Sequence, residues 1–565
     1  VQNVINIGVD TETMHGIPIT FQFFSEDIPL EKILWIKTGA EASARFFAFL
    51  DTLPIRDGKI AIMWGHNLGF DMISFFFDRY NMLTDESIEG EFYGWETHIV
   101  YAHVKFARFR KGHKSVMLLV IFRYFLQSLE KLGEMVCPEL PKLKMPKGLG
   151  QKKFKPTDKK FCAYAMRDAL IAYRAGKQIH AMHHELDVPL CVSAPHFASK
   201  VFRRKFLKAP IPLPPRSIVY SAMHSYHGGK NNVTATAGFY KSVYAIDIRS
   251  AYPFAMSCFP SFSNHKLYKT IRGRGTPNSL PMYGIYKIEG TAKNCSWPIL
   301  YNHAFKPIRG DFSDQWVTGF ELNEALRSRE VTLNNTEGYY YQAEKDKEPS
   351  AFRDYVNYFF AKKEKPEDKI HREFYKLLLN SLYGKFIQTR ATHVMNDIVF
   401  DLDDNKMIDM AAIIAGGLFN PFIATLITGH TRAYIHRLEH EYKALHTSTD
   451  GVFTQITPKE SPGLGGLSIE ASGDLLLFRN KLYIFYVPIS KADKSKPLQV
   501  STIFPDRAIT KYALHGFHGT LSQLEQIHAT GEKEYDYIKV NKLRESIRRN
   551  LAVNKFEMRH AKLNY

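Results

Sequence analysis

Disulfide chemistry is what this sequence has least material for. Its five cysteines, Cys137, Cys162, Cys191, Cys258 and Cys295, are scattered, odd in number and never spaced C-x-x-C. That argues against a disulfide framework and against a structural zinc site, and it suits a reducing compartment. Acidic residues are also in short supply, 57 against 75 Lys and Arg, which leaves a net charge of +18. A surplus of that size points to a polyanion or an anionic membrane surface as partner. A membrane-spanning run is missing too. The longest apolar stretch, Met410 to Thr428, is broken by Gly416-Gly417 and Asn420-Pro421. It reads as a buried turn followed by a core helix. No internal repeat and no disordered tail is visible. The opening residues Val1 to Ile7 read as a core strand rather than a signal peptide.

What is present is a globular composition, 45% hydrophobic and 13% aromatic over 565 residues, too long for one core. The first ~180 residues mix short strand-like and helical runs, an α/β pattern. Ile5 to Val9 alternates and ends at Asp10, and His15-Gly16 makes a turn before Ile17 to Phe24. A Lys/Pro/Gly-rich segment from Lys142 to Lys160 reads equally well as a phosphate-touching loop or a solvated linker. Prolines from Ala209 to Pro215 make an extended connector. Ser261 to Lys347 looks like a loop-rich inserted subdomain with short strands. Pro366, followed by Glu367 and Asp368, opens a helix running through Phe374, Leu377 and Leu378 to Gly384. Asn396 to Ile413 reads as a hairpin, and Asn541 to Tyr565 is basic and helix-prone.

Two sets of carboxylates carry chemistry. Asp10 and Glu12 sit two apart at a strand end, on the same side, where both can reach one metal ion. Asp71 follows Phe70 on a loop beyond the strand Ile60 to Trp64. Tyr164 and Asp168, four apart, share a helix face. Four carboxylates holding two ions about 3.5–4 Å apart suit phosphodiester hydrolysis, with Tyr164 orienting the water. The second set is Asp247, ending the run from Ser242, and Asp450, inside a strand–turn–strand signal. Acids on neighbouring strand ends can share a metal pair with a nucleoside triphosphate. Between them in sequence, Arg372, Lys376, Asn380 and Tyr383 fall on one stripe of a helix. Such a stripe grips a triphosphate or is simply a solvated basic face.

Together these segments resemble the family B DNA polymerases. Asp10-Thr-Glu-Thr13, Asn67-Leu-Gly-Phe-Asp71 and Tyr164-x-x-x-Asp168 resemble the three exonuclease motifs. Ser225-Tyr-His-Gly-Gly-Lys230 resembles the Y-x-G-G linker, and Asp247-Ile-Arg-Ser-Ala-Tyr-Pro253 resembles motif A. Lys376 to Phe386 (KLLLNSLYGKF) resembles motif B, Ser448-Thr-Asp-Gly451 motif C, and Lys481-Leu-Tyr483 the K-x-Y motif. Eight motifs in order cover Asp10 to Tyr483. The two insertions resemble those of the protein-primed subgroup, found in linear-genome phages, linear plasmids and some mobile elements.

The resemblance implies an α/β and α+β multidomain chain. Its parts would be an RNase H-like 3′→5′ exonuclease domain (1–185), palm (186–260 and 421–505), fingers (358–387) and thumb (506–565). A terminal-protein-type insertion (261–357) and a strand-displacement hairpin (388–420) complete it. It implies DNA synthesis with proofreading, using Mg²⁺, with Mn²⁺ as a substitute, two ions per active site. Asp247, Ile248 and Asp450 would be metal ligands for synthesis, and Asp10, Glu12, Asp71 and Asp168 for proofreading. Tyr252, Arg372, Lys376, Asn380, Tyr383 and Gly384, with Ile248, would hold the dNTP, and Tyr252 would exclude a 2′-hydroxyl. Thr13, Asn67, Phe70, Tyr226, Gly228, Gly229, Ser250, Lys481 and Tyr483 would contact DNA. Implied partners are primer–template DNA, single-stranded DNA, dNTPs and a terminal protein that primes. The protein would be a monomer away from membranes, in the host cytoplasm, or in mitochondria if carried by a fungal or plant linear plasmid. One position departs from the pattern: Ser448 stands where motif C usually has a first acid, and Gly451 where it has serine. A local negative charge is therefore missing. The alternatives are a 3′→5′ exonuclease with a degenerate polymerase body and a non-catalytic DNA-binding protein.

Overall fold

The alternating apolar residues of the first strand set the first core. In the structure, a computed structural model, residues 3–84, 88–101, 105–149, 154–293, 309–343, 350–390, 414–493, 498–540 and 556–563 are described. The chain divides into two compact units. One takes in the chain up to Arg204 together with Ala361–Leu378; the other takes in Lys205–Phe360 and Leu379–Lys539.

The first unit is built on eight strands: β1 (Asn3–Met14), β2 (Ile17–Ser25), β3 (Leu30–Trp35), β4 (Lys59–Gly65), β5 (Ile88–Phe92), β6 (Trp95–Val100), β7 (Phe106–Lys111) and β8 (Lys114–Val120). Their order is β3-β2-β1-β4-β8-β7-β6-β5. The pairs β1–β4 and β4–β8 are parallel; β1–β2 and β2–β3 are antiparallel, the RNase H-like arrangement. His15 (φ 50°) and Gly16 (φ 81°) make the tight turn between β1 and β2. On one face Ile5, Ile7 and Val9 join Phe21, Phe23, Phe46 and Phe75 in a dry cluster. Each such side chain contributes roughly 1.5–3 kcal/mol of burial. The other face is covered by the 27-residue helix Lys159–Glu185. Its approach to β1 is so close that a Cβ on Gly8 would lie 1.9 Å from the Ala169 carbonyl oxygen. The expected strand end at Asp10 is corrected: β1 runs on to Met14 because β2 keeps pairing with it, past an irregularity at Glu12/Thr13.

In the second unit the strands are β9 (Lys230–Val233), β10 (Gly238–Ile248), β11 (Tyr268–Arg274), β12 (Gly284–Ala292), β13 (Gly310–Thr318), β14 (Val331–Tyr341), β15 (Thr389–Arg390), β16 (Ile414–Ala415), β17 (His446–Thr449), β18 (Gly451–Thr454), β19 (Leu467–Arg479), β20 (Leu482–Pro488) and β21 (Arg507–Leu514). Seven of these make one sheet, β21-β20-β19-β10-β18-β17-β9. The expected loop-rich insert instead folds as a four-stranded antiparallel sheet, β11-β14-β12-β13, with strands of 7 to 11 residues. Tyr286, Ile288, Val317, Leu322 and Leu333 give it a core of its own, which short strands could not supply. β15 and β16 pair at the ends of the expected hairpin, whose body, Asn396 to Ile413, lies outside the described residues.

The interrupted apolar run resolves as expected into a turn and a core helix, Pro421–Glu441. Asn420 caps it by accepting a hydrogen bond from the Ile423 N–H at 3.2 Å, with Pro421 in the first turn. Among the described residues no helix is long and apolar enough to cross a membrane. Three expectations need correction. The helix expected from Pro366 is Lys369–Ser381, because the Asp368 carboxylate accepts the His371 N–H at 2.9 Å and starts the helix there. It stops at Ser381 rather than Gly384, followed by a tighter turn, Tyr383–Phe386. The last stretch, expected to be helix-prone, lies outside the described residues at 541–555; Phe556–Lys562 (β23) is a strand paired with Glu534–Val540 (β22). Cross-strand charge pairs such as His560 with Asp536 (2.9 Å) favour that pairing over a helix.

Candidate active sites for phosphoryl chemistry

In the first unit β1 presents Asp10 and Glu12 toward the helix Lys159–Glu185, which supplies Asp168 one turn beyond Tyr164. Carboxylate oxygens of Asp10, Glu12 and Asp168 all lie within 4.8 Å of one another. Asp71 joins them from the first turn of a short helix, Leu68–Phe75, not from the loop expected. The residues after β4 wind at once into this helix, which turns Asp71 inward while Phe70 stays 37% exposed. Thr11 Oγ1 donates to Asp71 Oδ1 at 2.9 Å.

Crowding these acids in a buried place costs free energy. Burial, then Asp71, Glu12 and Asp168, push Asp10 well above the usual carboxylate range. Burial and Asp168 push Glu12 up to about 8, and burial pushes Asp71 up to about 7. Asp168 is raised by burial, although Lys142 opposes this. Asp168 Oδ1 is buried and accepts no hydrogen bond among the described residues. Buried carboxylates held above their usual range, one of them with a spare oxygen, fit hard divalent cations.

The Lys142–Lys160 segment turns out to do more than link. Lys142 reaches back to form an ion pair with Asp168 and sits 4.9 Å from the centre of the Tyr164 ring. Its sequence signal was only the basic loop itself. Thr13 is half-buried and Asn67 is exposed.

A stability effect follows from these shifts. Without divalent ions the folded state keeps protons on Glu12 and Asp71 that the unfolded chain releases near pH 4–5. Stability therefore falls as pH rises toward about 8, the folded value of Glu12. Melting in chelator should drop by several degrees between about pH 5 and pH 8, and added Mg²⁺ should restore most at the higher pH. Glu12→Gln should flatten the profile in a calorimetric scan; an unchanged slope would show that Glu12 does not hold a proton in this range.

In the second unit β10 carries Asp247, and Asp450 occupies the turn between β17 and β18. β10 pairs with β18 so that Asp247 stands opposite Gly451, and the Ile248 N–H donates to the Asp450 carbonyl at 3.0 Å. Asp247 thus stands one position from the turn that carries Asp450. Thr449 (φ 60°) and Ser250 (φ 54°) adopt left-handed backbone near the two acids in sequence, as does Lys481 (φ 54°) at the turn between β19 and β20. Such strain in non-glycine residues collects at functional sites. Burial, and then the charge of Glu470, raise Asp450, while Lys511 opposes them.

Tyr252, in the helix Ala251–Ser257 that follows Ser250, stacks on Tyr383 with ring centres 4.2 Å apart. Two segments 131 positions apart in sequence therefore meet. Gly229 is wedged beneath: a Cβ there would lie 2.6 Å from Thr449 Cγ2 and 2.9 Å from Tyr252 Oη. Gly228 and Gly384 face open space, so no protein neighbour demands a glycine at either position. Tyr226 is raised by burial, with Tyr383 and Arg432 nearby. Tyr483 is buried, its ring 4.9 Å from Phe453 and 5.4 Å from His446, and the Lys481 N–H donates to His446 Nε2 at 3.2 Å.

Two residues not anticipated stand at this site. Glu470 on β19 and Lys511 on β21 form an ion pair at 2.5 Å. Burial pulls Lys511 down, but Glu470, Tyr483 and Asp247 outweigh it. A third carboxylate thus acts on Asp450 from a different strand, where motif C itself has only Ser448. Arg372 and Lys376 belong to the Ala361–Leu378 stretch of the first unit, and Asn380 follows on the same helix. Lys363, which sequence reasoning passed over, feels both: burial first, and then Arg372 and Lys376, lower it. Lys363 also pairs with Glu364 at 3.2 Å, and Arg372 with Glu373 at 3.3 Å, so carboxylates offset part of this positive charge.

The RNase H-like sheet with its four acids, and the second unit's seven-stranded sheet with Asp247 and Asp450, define a multidomain α/β and α+β fold. Over its whole length the chain superposes on all of the Phi29 DNA polymerase in complex with primer-template DNA and incoming nucleotides, with a TM-score of 0.67 at 15% identity. Residues 141–418 match the family described as DNA polymerase type B, organellar and viral. The chain is 29% identical over 196 residues to the DNA-directed DNA polymerase of Enterobacteria phage PRD1, which is 30% of this chain and 34% of that protein. A probable DNA polymerase of Neurospora intermedia is 27% identical over 206 residues, 34% of this chain and 20% of that one. The matched stretches span about a third or less of these relatives.

Proposed function

We propose that the chain is a DNA-directed DNA polymerase with its own 3′→5′ proofreading exonuclease, protein-primed and strand-displacing, replicating a linear viral or mobile-element genome. The observation that carries this is the register placing Asp247 opposite Gly451, next to Asp450, in the same unit as the Tyr252–Tyr383 stack.

Asp247 and Asp450, with the Ile248 carbonyl, would hold Mg²⁺ (or Mn²⁺), two ions per site, and Asp10, Glu12, Asp71 and Asp168 would do so for proofreading. Bound there, such ions neutralise charge on the reacting phosphate and the departing oxygen. Tyr252 supports the sugar of the incoming nucleotide from below and leaves no room for a 2′-hydroxyl. Arg372 and Lys376 would neutralise the triphosphate, while Asn380, Tyr383 and Gly384 would shape the nucleotide pocket. Lys481, Tyr483 and Ser250 hold the primer strand, and Tyr226, Gly228 and Gly229 lie along the template path. In the exonuclease Thr13, Asn67 and Phe70 hold the frayed 3′ end, Tyr164 orients the water, and Lys142 steadies Asp168.

Primer–template and nucleotides are named for the Phi29 enzyme, and single-stranded DNA for a second Phi29 structure, which supports the same partners here. A terminal protein as primer, a monomeric state, and residence in host cytoplasm or mitochondria complete the proposal.

A primed single-stranded circle with Mg²⁺ and dNTPs tests it. Product longer than one lap is expected, and shortening of the primer when dNTPs are withheld. A primer left unextended under both conditions would refute the reading.

A further inference from the structure

Away from both sites, the helix Pro421–Glu441 meets the four-stranded sheet's subdomain along a polar seam. Arg432, His436 and His440 recur every four residues and so share one stripe of the helix. The facing carboxylates come from the subdomain: Glu321 meets Arg432 at 2.5 Å, and Glu324 meets Arg437. The last rung differs, because here two imidazoles converge on one carboxylate. His436 Nε2 lies 3.0 Å from Glu330 Oε2, and His440 Nε2 lies 2.9 Å from Glu330 Oε1. Both Glu330 oxygens are buried, yet neither accepts a well-aligned hydrogen bond among the described residues.

We propose that Glu330, His436 and His440 form a site for one transition-metal ion of the zinc class. Ligand atoms of the three lie within 4.8 Å of one another. Donors on a tetrahedral zinc ion at ordinary bond lengths stand about 3.3 Å apart, close to the separations seen. Two nitrogen donors select zinc-like ions over Mg²⁺, which takes oxygen. Cysteine, whose spacing speaks against a zinc site, has no part in it. His436 and Glu330 are buried, whereas His440 is 49% exposed, so an ion can enter and keep a water as fourth ligand.

Charge supports an added cation. Two buried carboxylates, Glu330 and Glu439, face one ammonium, Lys230, which is 2.8 Å from Glu439 Oε2. Lys230 also stands 3.1 Å from His436 Nδ1. A metal on Nε2 places the ring proton on Nδ1, so Lys230 gives up that contact and keeps Glu439. The ion would tie the start of β14 to the palm-side helix, a structural rather than a reactive role.

The test uses the full chain, stripped of metal and dialysed against excess Mg²⁺ so that the carboxylate sites are filled. Titration calorimetry with Zn²⁺ should show one site per chain. Co²⁺ should give the visible absorption of a four-coordinate site. His440→Ala, at a half-exposed position that tolerates truncation, should weaken Zn²⁺ binding at least tenfold and abolish the Co²⁺ band, with circular dichroism confirming the fold. Glu330→Gln should also weaken it. Absence of Zn²⁺ binding by the parent, or parental affinity in either variant, would overturn the proposal.

Discussion

Asp450→Asn should lower nucleotide incorporation roughly 10³-fold or more, equivalent to about 4 kcal/mol of transition-state stabilisation, while degradation of single strands continues at the parental rate. The reason is local. Asp450 sits at a turn whose backbone is fixed by the β10–β18 register, and its carboxylate is raised by burial and by Glu470. Asparagine keeps the shape and removes a poorly solvated charge, so the folded protein should melt no earlier than the parent. Loss of synthesis can then be assigned to chemistry and not to unfolding. Single-turnover extension of a labelled primer measures it, with a thermal melt alongside. Parental extension by the variant would mean that Asp450 is not a working acid.

Asp10→Ala should do the reverse, cutting removal of a 3′ nucleotide by roughly 10³-fold and leaving extension intact. Asp10 is raised most by its own burial and then by Asp71, Glu12 and Asp168, so its removal also relieves repulsion among the other three. The variant should therefore be at least as stable as the parent in chelator. Digestion of an unpaired labelled oligonucleotide, and extension of a paired one, read the two activities separately. If both fell together, the four acids of the first unit would not be a separate site.

How much of this was legible in the sequence depends on how local each relation is. Asp10 with Glu12 follows from strand alternation, and Tyr164 with Asp168 from helical spacing; both need only a few residues of context. Asp450 at a hairpin turn is equally local. Lys142 is different: it reaches Asp168 across 26 residues from a segment with no periodicity. Glu470 and Lys511 come from strands 41 residues apart, and nothing in either segment marks its partner. The insert reads as loop-rich with short strands because its prolines and breaks are local, whereas the pairing of β11 with β14 is not. Helix starts slipped for a similar reason. Pro366 is permitted in a first turn, but the Asp368 side chain three residues before the His371 N–H decided the matter.

The buried Arg432 has one further consequence. Its guanidinium is shared between Glu321 of the inserted subdomain and the carbonyls of His227 and Gly228. Moving either partner alone would strand a desolvated charge, a loss of several kcal/mol. The glycine loop and the insert therefore behave as a single strut, and a load applied to the insert is delivered to the loop without slack.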